Sequence, residues 1–151
     1  MALLRRYVLH GILHEQSLTR HPEFTTLNLR PNVRLRSLTL HGATLYNDEN
    51  SWLVELLDAI SSPVLERIVF KDVRILWTGA TQRLMRAVDE LLCKDERSQL
   101  LKMVDFYPAA DDGRGVRSFN RLAALWMPGL LKRGVLYLHG APFVPAEEGS
   151  V

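Results

Sequence analysis

Cysteine occurs once, at Cys93, so no intramolecular disulfide can brace the chain and its stability has to come from an apolar core. Long apolar runs are missing as well. None approaches the ~20 residues that a membrane-spanning helix needs, and the N-terminal apolar stretch is interrupted by Arg5, Arg6 and His10. Charge of one sign is not in excess: nineteen Lys and Arg stand against seventeen Asp and Glu, interspersed rather than gathered in tracts, which gives a nucleic-acid partner little support. These absences set the expectation of a soluble intracellular protein, cytoplasmic or nuclear, with no membrane partner. The segment before Glu15 holds two arginines and no acid, as organelle presequences do, but it also fits the repeat described below, and that reading is preferred.

Motifs that announce chemistry are missing too. There is no Gly-x-Ser-x-Gly elbow, and Cys93 sits in the apolar stretch Glu90-Leu91-Leu92-Cys93 with no histidine nearby, so it reads as a small core residue and not as a nucleophile. Neither Gly-x-x-x-x-Gly-Lys nor Gly-x-Gly-x-x-Gly occurs, and Gly113-Arg114-Gly115 follows a loop instead of a strand end. Asp111-Asp112-Gly113 lacks the alternating acids and closing Glu of a calcium loop. His10, His41 and His139 hold equivalent places after a strand, yet stacked units would set the last two three strand spacings apart, about 14 Å. Zinc ligands lie about 2 Å from one ion, so turn histidines are expected and no metal or cofactor is. The chain is expected not to be an enzyme.

What is present is a repeat. The apolar spacing Leu-x-x-Leu-x-Leu recurs at Leu35, Leu38, Leu40, at Leu65, Ile68, Phe70 and at Leu101, Val104, Phe106. Weaker copies read Leu4, Tyr7, Leu9 and Arg133, Leu136, Leu138, so the starts at 4, 35, 65, 101 and 133 are 31, 30, 36 and 32 residues apart. Leu9-His10-Gly11, Leu40-His41-Gly42 and Leu138-His139-Gly140 are expected to close their strands with the same turn, Gly leaving at positive φ.

Helical periodicity fills the intervals. One helix is expected from about Ser51 to Ser61, with Leu53, Leu56, Leu57 and Ile60 on its apolar face, Asn50 at its cap and Pro63 beyond its end. A second, Thr81 to Lys94, buries Leu84, Val88, Leu91 and Leu92 and turns Arg83, Arg86, Asp89 and Glu90 to solvent. A third, from about Phe119, presents Leu122, Leu125 and Trp126 until Pro128 kinks it or begins a separate turn before Gly134. Trp52, Trp77 and Trp126 are assigned to the core or its rim. Residues 16–33 are an extra strand or an extended connection, 108–117 a mobile surface loop, and 146–151 a disordered tail.

A strand, a helix and another strand every thirty or so residues imply parallel strands with right-handed crossovers. The expected fold is therefore α/β: a short, open leucine-rich-repeat-like solenoid, a parallel sheet with helices on one face, forming a single domain over 1–145 with its firm repeats at about 35–134. Alternation then places three columns on the open face: Ser37, Arg67, Met103, Val135; Thr39, Val69, Asp105, Tyr137; His41, Lys71, Tyr107, His139. From these Arg67, Asp105, Tyr107 and Tyr137 are nominated as protein-binding residues, because interface hot spots favour Tyr and Arg. A half-exposed sheet face with no partner explains the same mixture equally simply.

Leu35-Arg36-Ser37-Leu38-Thr39-Leu40-His41-Gly42, Ser61-Ser62-Pro63-Val64-Leu65-Glu66-Arg67-Ile68-Val69-Phe70 and Met127-Pro128-Gly129-Leu130-Leu131-Lys132-Arg133-Gly134-Val135-Leu136 resemble the C-terminal repeats of fungal F-box and leucine-rich-repeat-like proteins, over about residues 30 to 140. The resemblance implies repeats that hold a substrate protein while an N-terminal F-box docks onto a ubiquitin-ligase adaptor. No segment here resembles an F-box, the units exceed the usual 20 to 29 residues, and the Asn ladder after the strand is missing. The expected role is thus a non-catalytic interaction or scaffold module with a protein partner. Its alternatives are a fragment of a longer repeat protein, self-associating through exposed strand edges, and a small enzyme of unrecognised type.

Overall fold

The computed structural model describes residues 6–9, 35–42, 44–45, 51–60, 62–75, 79–94, 99–109 and 114–146. The strands are β1 (Arg6–Leu9), β2 (Ser37–His41), β3 (Thr44–Leu45), β4 (Arg67–Ile75), β5 (Met103–Pro108), β6 (Leu136–Leu138) and β7 (Ala141–Pro142). The helices are α1 (Ser51–Ala59), α2 (Gly79–Lys94), α3 (Arg114–Trp126) and α4 (Pro128–Lys132). The protein is α/β, with an open sheet in the order β1-β2-β4-β5-β6-β7 and β3 alongside β4. Among the described strands, β1, β2, β4, β5 and β6 run parallel in the main sheet, β3 is parallel to β4, and β7 is antiparallel to its neighbour.

The register aligns the repeated template position by position. Leu38, Ile68, Val104 and Leu136 form one cross-strand row, and Leu40, Phe70, Phe106 and Leu138 the next. A side-chain period of two sends both rows to the same side, where they share one core with Leu53, Leu56 and Leu57 of α1, Leu84, Met85 and Val88 of α2, and Phe119, Ala123 and Trp126 of α3. Phe70 stacks on Phe106 at 4.7 Å and 6°, Phe106 meets Phe119 at 5.1 Å, and Phe119 meets Phe143 edge-on at 5.4 Å, so one aromatic chain crosses from the central strands through α3 to the segment after β7. Pairing continues ahead of the strands: the Glu66 N–H donates to the Arg36 carbonyl (2.9 Å) and the Lys102 N–H to that of Glu66 (2.8 Å). Buried Ser62 donates its hydroxyl to the Leu35 carbonyl at 2.7 Å, tying the lead-in of one unit to the next.

Several expectations change. α3 begins at Arg114, so the end of the supposed 108–117 loop is helical; burying Phe119 in mid-helix needs the preceding turn for support. Leu125 is 63% exposed, because the face that meets the core passes through Phe119, Ala123 and Trp126. Of the two outcomes expected at Pro128 the second holds: it begins a separate short helix, α4, occupying its N-terminal turn, where no backbone N–H is needed. Val135 joins the core cluster instead of the open face, since the chain enters β6 from the turn at Gly134 (φ 69°) and not along an extended lead-in. Arg133, the odd first residue of the last copy, is exposed beside α4 and donates to the Leu92 carbonyl at 3.0 Å. The stretch at 16–33, His10, Gly11, Trp77 and the 147–151 tail lie outside the described residues.

Asp89 departs furthest from its expected solvent position. It is 6% exposed and accepts the N–H groups of Gly129 (3.0 Å, Oδ2) and Leu130 (2.8 Å, Oδ1), capping α4 from forty residues away where Met127 offers no side-chain cap. The fit is tight at Gly129, where a Cβ would lie 2.8 Å from the Cys93 sulfur and 3.0 Å from Asp89 Oδ2. Gly129→Ala should therefore cost about 1–2 kcal/mol in urea unfolding despite the better helix propensity of Ala. In a Cys93→Ala background the cost should shrink by about 0.5 kcal/mol or more. Equal costs in the two backgrounds would remove the close approach as the reason for glycine.

Candidate functional site

On the side of the sheet away from the helices the register brings the expected columns together. Ser37, Arg67 and Met103 are cross-strand neighbours, as are Thr39, Val69, Asp105 and Tyr137, and as are His41, Lys71 and Tyr107. Val69 is 5% exposed yet stands apart from the helix-side core, which places it on this second face. All four nominated residues, Arg67, Asp105, Tyr107 and Tyr137, lie here, but in different states. Arg67 is exposed, Tyr107 and Tyr137 are half-buried, and Asp105 is only 1% exposed. A partner could touch the first three directly; the carboxylate of Asp105 lies beneath them.

Asp105 acts as an internal acceptor. Its Oδ1 takes the N–H of Gly140 at 3.0 Å, and the Tyr107 hydroxyl donates to the same carboxylate. Partial burial of the phenol, the adjacent negative charge and this hydrogen bond push the Tyr107 hydroxyl above its ordinary value, while Arg67 pulls it part of the way back. The Tyr107 ring also meets His139 edge-on at 5.5 Å, so the phenol is held from two sides. Gly140 is confined as well, because a Cβ there would come within 3.0 Å of the Tyr107 hydroxyl oxygen.

The turn that carries these contacts was only half legible. Leu138-His139-Gly140-Ala141 joins β6 to antiparallel β7 with φ of 50° at His139 and 78° at Gly140, the positive pair of a two-residue type I′ hairpin. In Leu40-His41-Gly42 the histidine stays in β2 and only Gly42 is positive, at 77°. Two identical tripeptides thus make different turns, because Ala141 and Pro142 continue into a pairing strand whereas Gly42 is held by the Lys71 carbonyl at 2.9 Å. His41 and His139 are separated by β4 and β5, and among the described residues no three His, Cys, Asp or Glu groups converge as a metal site would need.

Cys93 stands elsewhere, half-buried on α2 with its sulfur 4.0 Å from Asp89 Oδ1. Burial and the charge of Asp89 push its thiol up, and a hydrogen bond from Arg133 and that residue's charge offset this only in part, so the neutral, weakly nucleophilic form is favoured at neutral pH. No helix among the described residues is long and apolar enough to cross a membrane. No family model, curated protein or solved structure matches this chain.

The raised Tyr107 hydroxyl has a pH signature. Its folded-state value lies above the unfolded one near 10, so the stabilisation it contributes is complete below about pH 10 and is lost as pH rises through the folded value. Stability measured across that alkaline window should fall less steeply in Tyr107→Phe than in the native protein. Parallel curves would mean that the Asp105 contact does not set the titration of the phenol.

Proposed function

We propose that the protein is a non-catalytic interaction module: a short, open leucine-rich-repeat-like solenoid whose sheet face away from the described helices holds a protein partner. One observation carries this reading, the aromatic Tyr107 held on that face by contacts with Asp105 and His139. A partly exposed side chain ordered before binding loses little conformational freedom when a partner covers it, which is how interface anchors work. Tyr137, beside Asp105 in the next strand, extends the aromatic surface, and Arg67 borders it. The thiol of Cys93 lies on an element of the other layer and is held neutral, which favours binding over nucleophilic chemistry. In the fungal F-box-like proteins that the repeats resemble, such a face holds substrate for a ligase; the same use is proposed here, in a cytoplasmic or nuclear setting.

Tyr107→Ala combined with Tyr137→Ala should weaken capture of a specific partner by about tenfold or more, as loss of two anchor residues does. Arg86→Ala combined with Glu90→Ala, two exposed positions of α2, should leave capture unchanged. Quantitative affinity capture of the folded variants makes the comparison. Equal loss from both surfaces, or loss from α2 alone, overturns the assignment of the binding face.

A further inference from the structure

On the sheet face opposite the described helices, two exposed cations have no carboxylate directly across the ladder. β4, in the middle of the sheet, displays Arg67 and Lys71 there, both exposed. Their cross-strand neighbours carry no carboxylate: Arg67 is flanked by Ser37 and Met103, and Lys71 by His41 and Tyr107. Opposite charges directly across a ladder are the usual compensation in a sheet, and here the register denies it to both cations. Elsewhere in the molecule the compensation is made, since Glu66 lies between Arg36 (3.9 Å) and Lys102 (3.7 Å) at the strand lead-ins. Diagonal to both cations stands Asp105, but it is buried and committed to the Gly140 N–H and the Tyr107 hydroxyl. Asp72, exposed at the irregularity where β4 shifts register, sits at the end of the strip beside Lys71.

We propose that the occupant of this face is an acidic, extended peptide segment, its carboxylates meeting Arg67 and Lys71 and its chain lying against Tyr107 and Tyr137. The proposal rests on the interaction-module reading and specifies the chemistry of the partner. Two cations set four residues apart on one strand, about 13 Å, match carboxylates spaced along an extended chain. Tyrosines beside them supply the apolar contact that a purely ionic surface lacks. Two cations flanked by tyrosine, serine and methionine favour such a peptide over a nucleic-acid backbone, which needs a longer run of basic groups.

The test is fluorescence anisotropy of the full chain with labelled peptides of one length, Glu/Asp-rich, Lys-rich or Gln-rich, each carrying one aromatic residue, and with a single-stranded oligonucleotide. The acidic peptide should bind best and weaken as salt rises, and Arg67→Glu with Lys71→Glu should reduce its affinity by about tenfold or more while conferring binding of the Lys-rich peptide. Arg67→Gln with Lys71→Gln, checked for native circular dichroism, should give an intermediate loss. Undiminished binding of the acidic peptide by either pair overturns the proposal. So does tighter binding of the oligonucleotide that depends on the same two cations. Charge-independent binding of all three peptides that Tyr107→Ala abolishes would overturn the acidic-partner inference and leave the interaction face standing. Peptide binding indifferent to the tyrosines and the cations alike would remove both.

Discussion

Burial of one strand face constrains everything else in this structure. With a side-chain period of two, sliding β4 by a single residue against β5 would lift Phe70 out of its stack on Phe106 and turn Arg67 and Lys71 into the core. Desolvating two cations that have no acid directly across the ladder costs several kcal/mol each, far more than any one apolar contact returns. The parallel register is therefore held from both sides, by aromatic packing below and by charge above. The composition of the bare face follows directly from it.

Two buried carboxylates complete the last unit, one in each layer. Asp89 takes the first free N–H groups of α4, and Asp105 takes the N–H of Gly140 in the β6–β7 hairpin. Both reach over thirty-five residues or more along the chain to satisfy donors that a short helix and a tight turn cannot satisfy themselves. A charge-assisted bond of this kind contributes about 1.5–3 kcal/mol, and losing Asp89 would strand the buried N–H of Leu130. These two residues tie the last and least regular copy of the repeat to its neighbours. That copy also supplies His139 against Tyr107, so the turn it anchors supports the aromatic side chain on the sheet face opposite the helices.

The same arrangement separates two roles that the residue types alone would merge. Arg67, Tyr107 and Tyr137 are accessible on the face opposite the helices, while Asp105 orients Tyr107 from beneath. Cations with no acid directly opposite and the Tyr107 phenol, held by Asp105 and His139, share this face.

Periodicity alone determined the α/β class, the parallel rows Leu38-Ile68-Val104-Leu136 and Leu40-Phe70-Phe106-Leu138, and the membership of the columns opposite them up to Val135, because strand alternation and thirty-residue spacing are local properties that neighbours along the chain reveal. Helix positions followed from the same logic, with errors at Arg114 and Leu125, where packing and not pattern chose the start and the buried face. Only the tertiary structure decided that Asp89 and Asp105 are buried acceptors, that Gly129 must lack a side chain, and that two Leu-His-Gly segments turn differently. Each of these depends on which donor or strand lies opposite across a gap of tens of residues. A carboxylate in a charged stretch looks solvated until the fold brings an unsatisfied N–H to it.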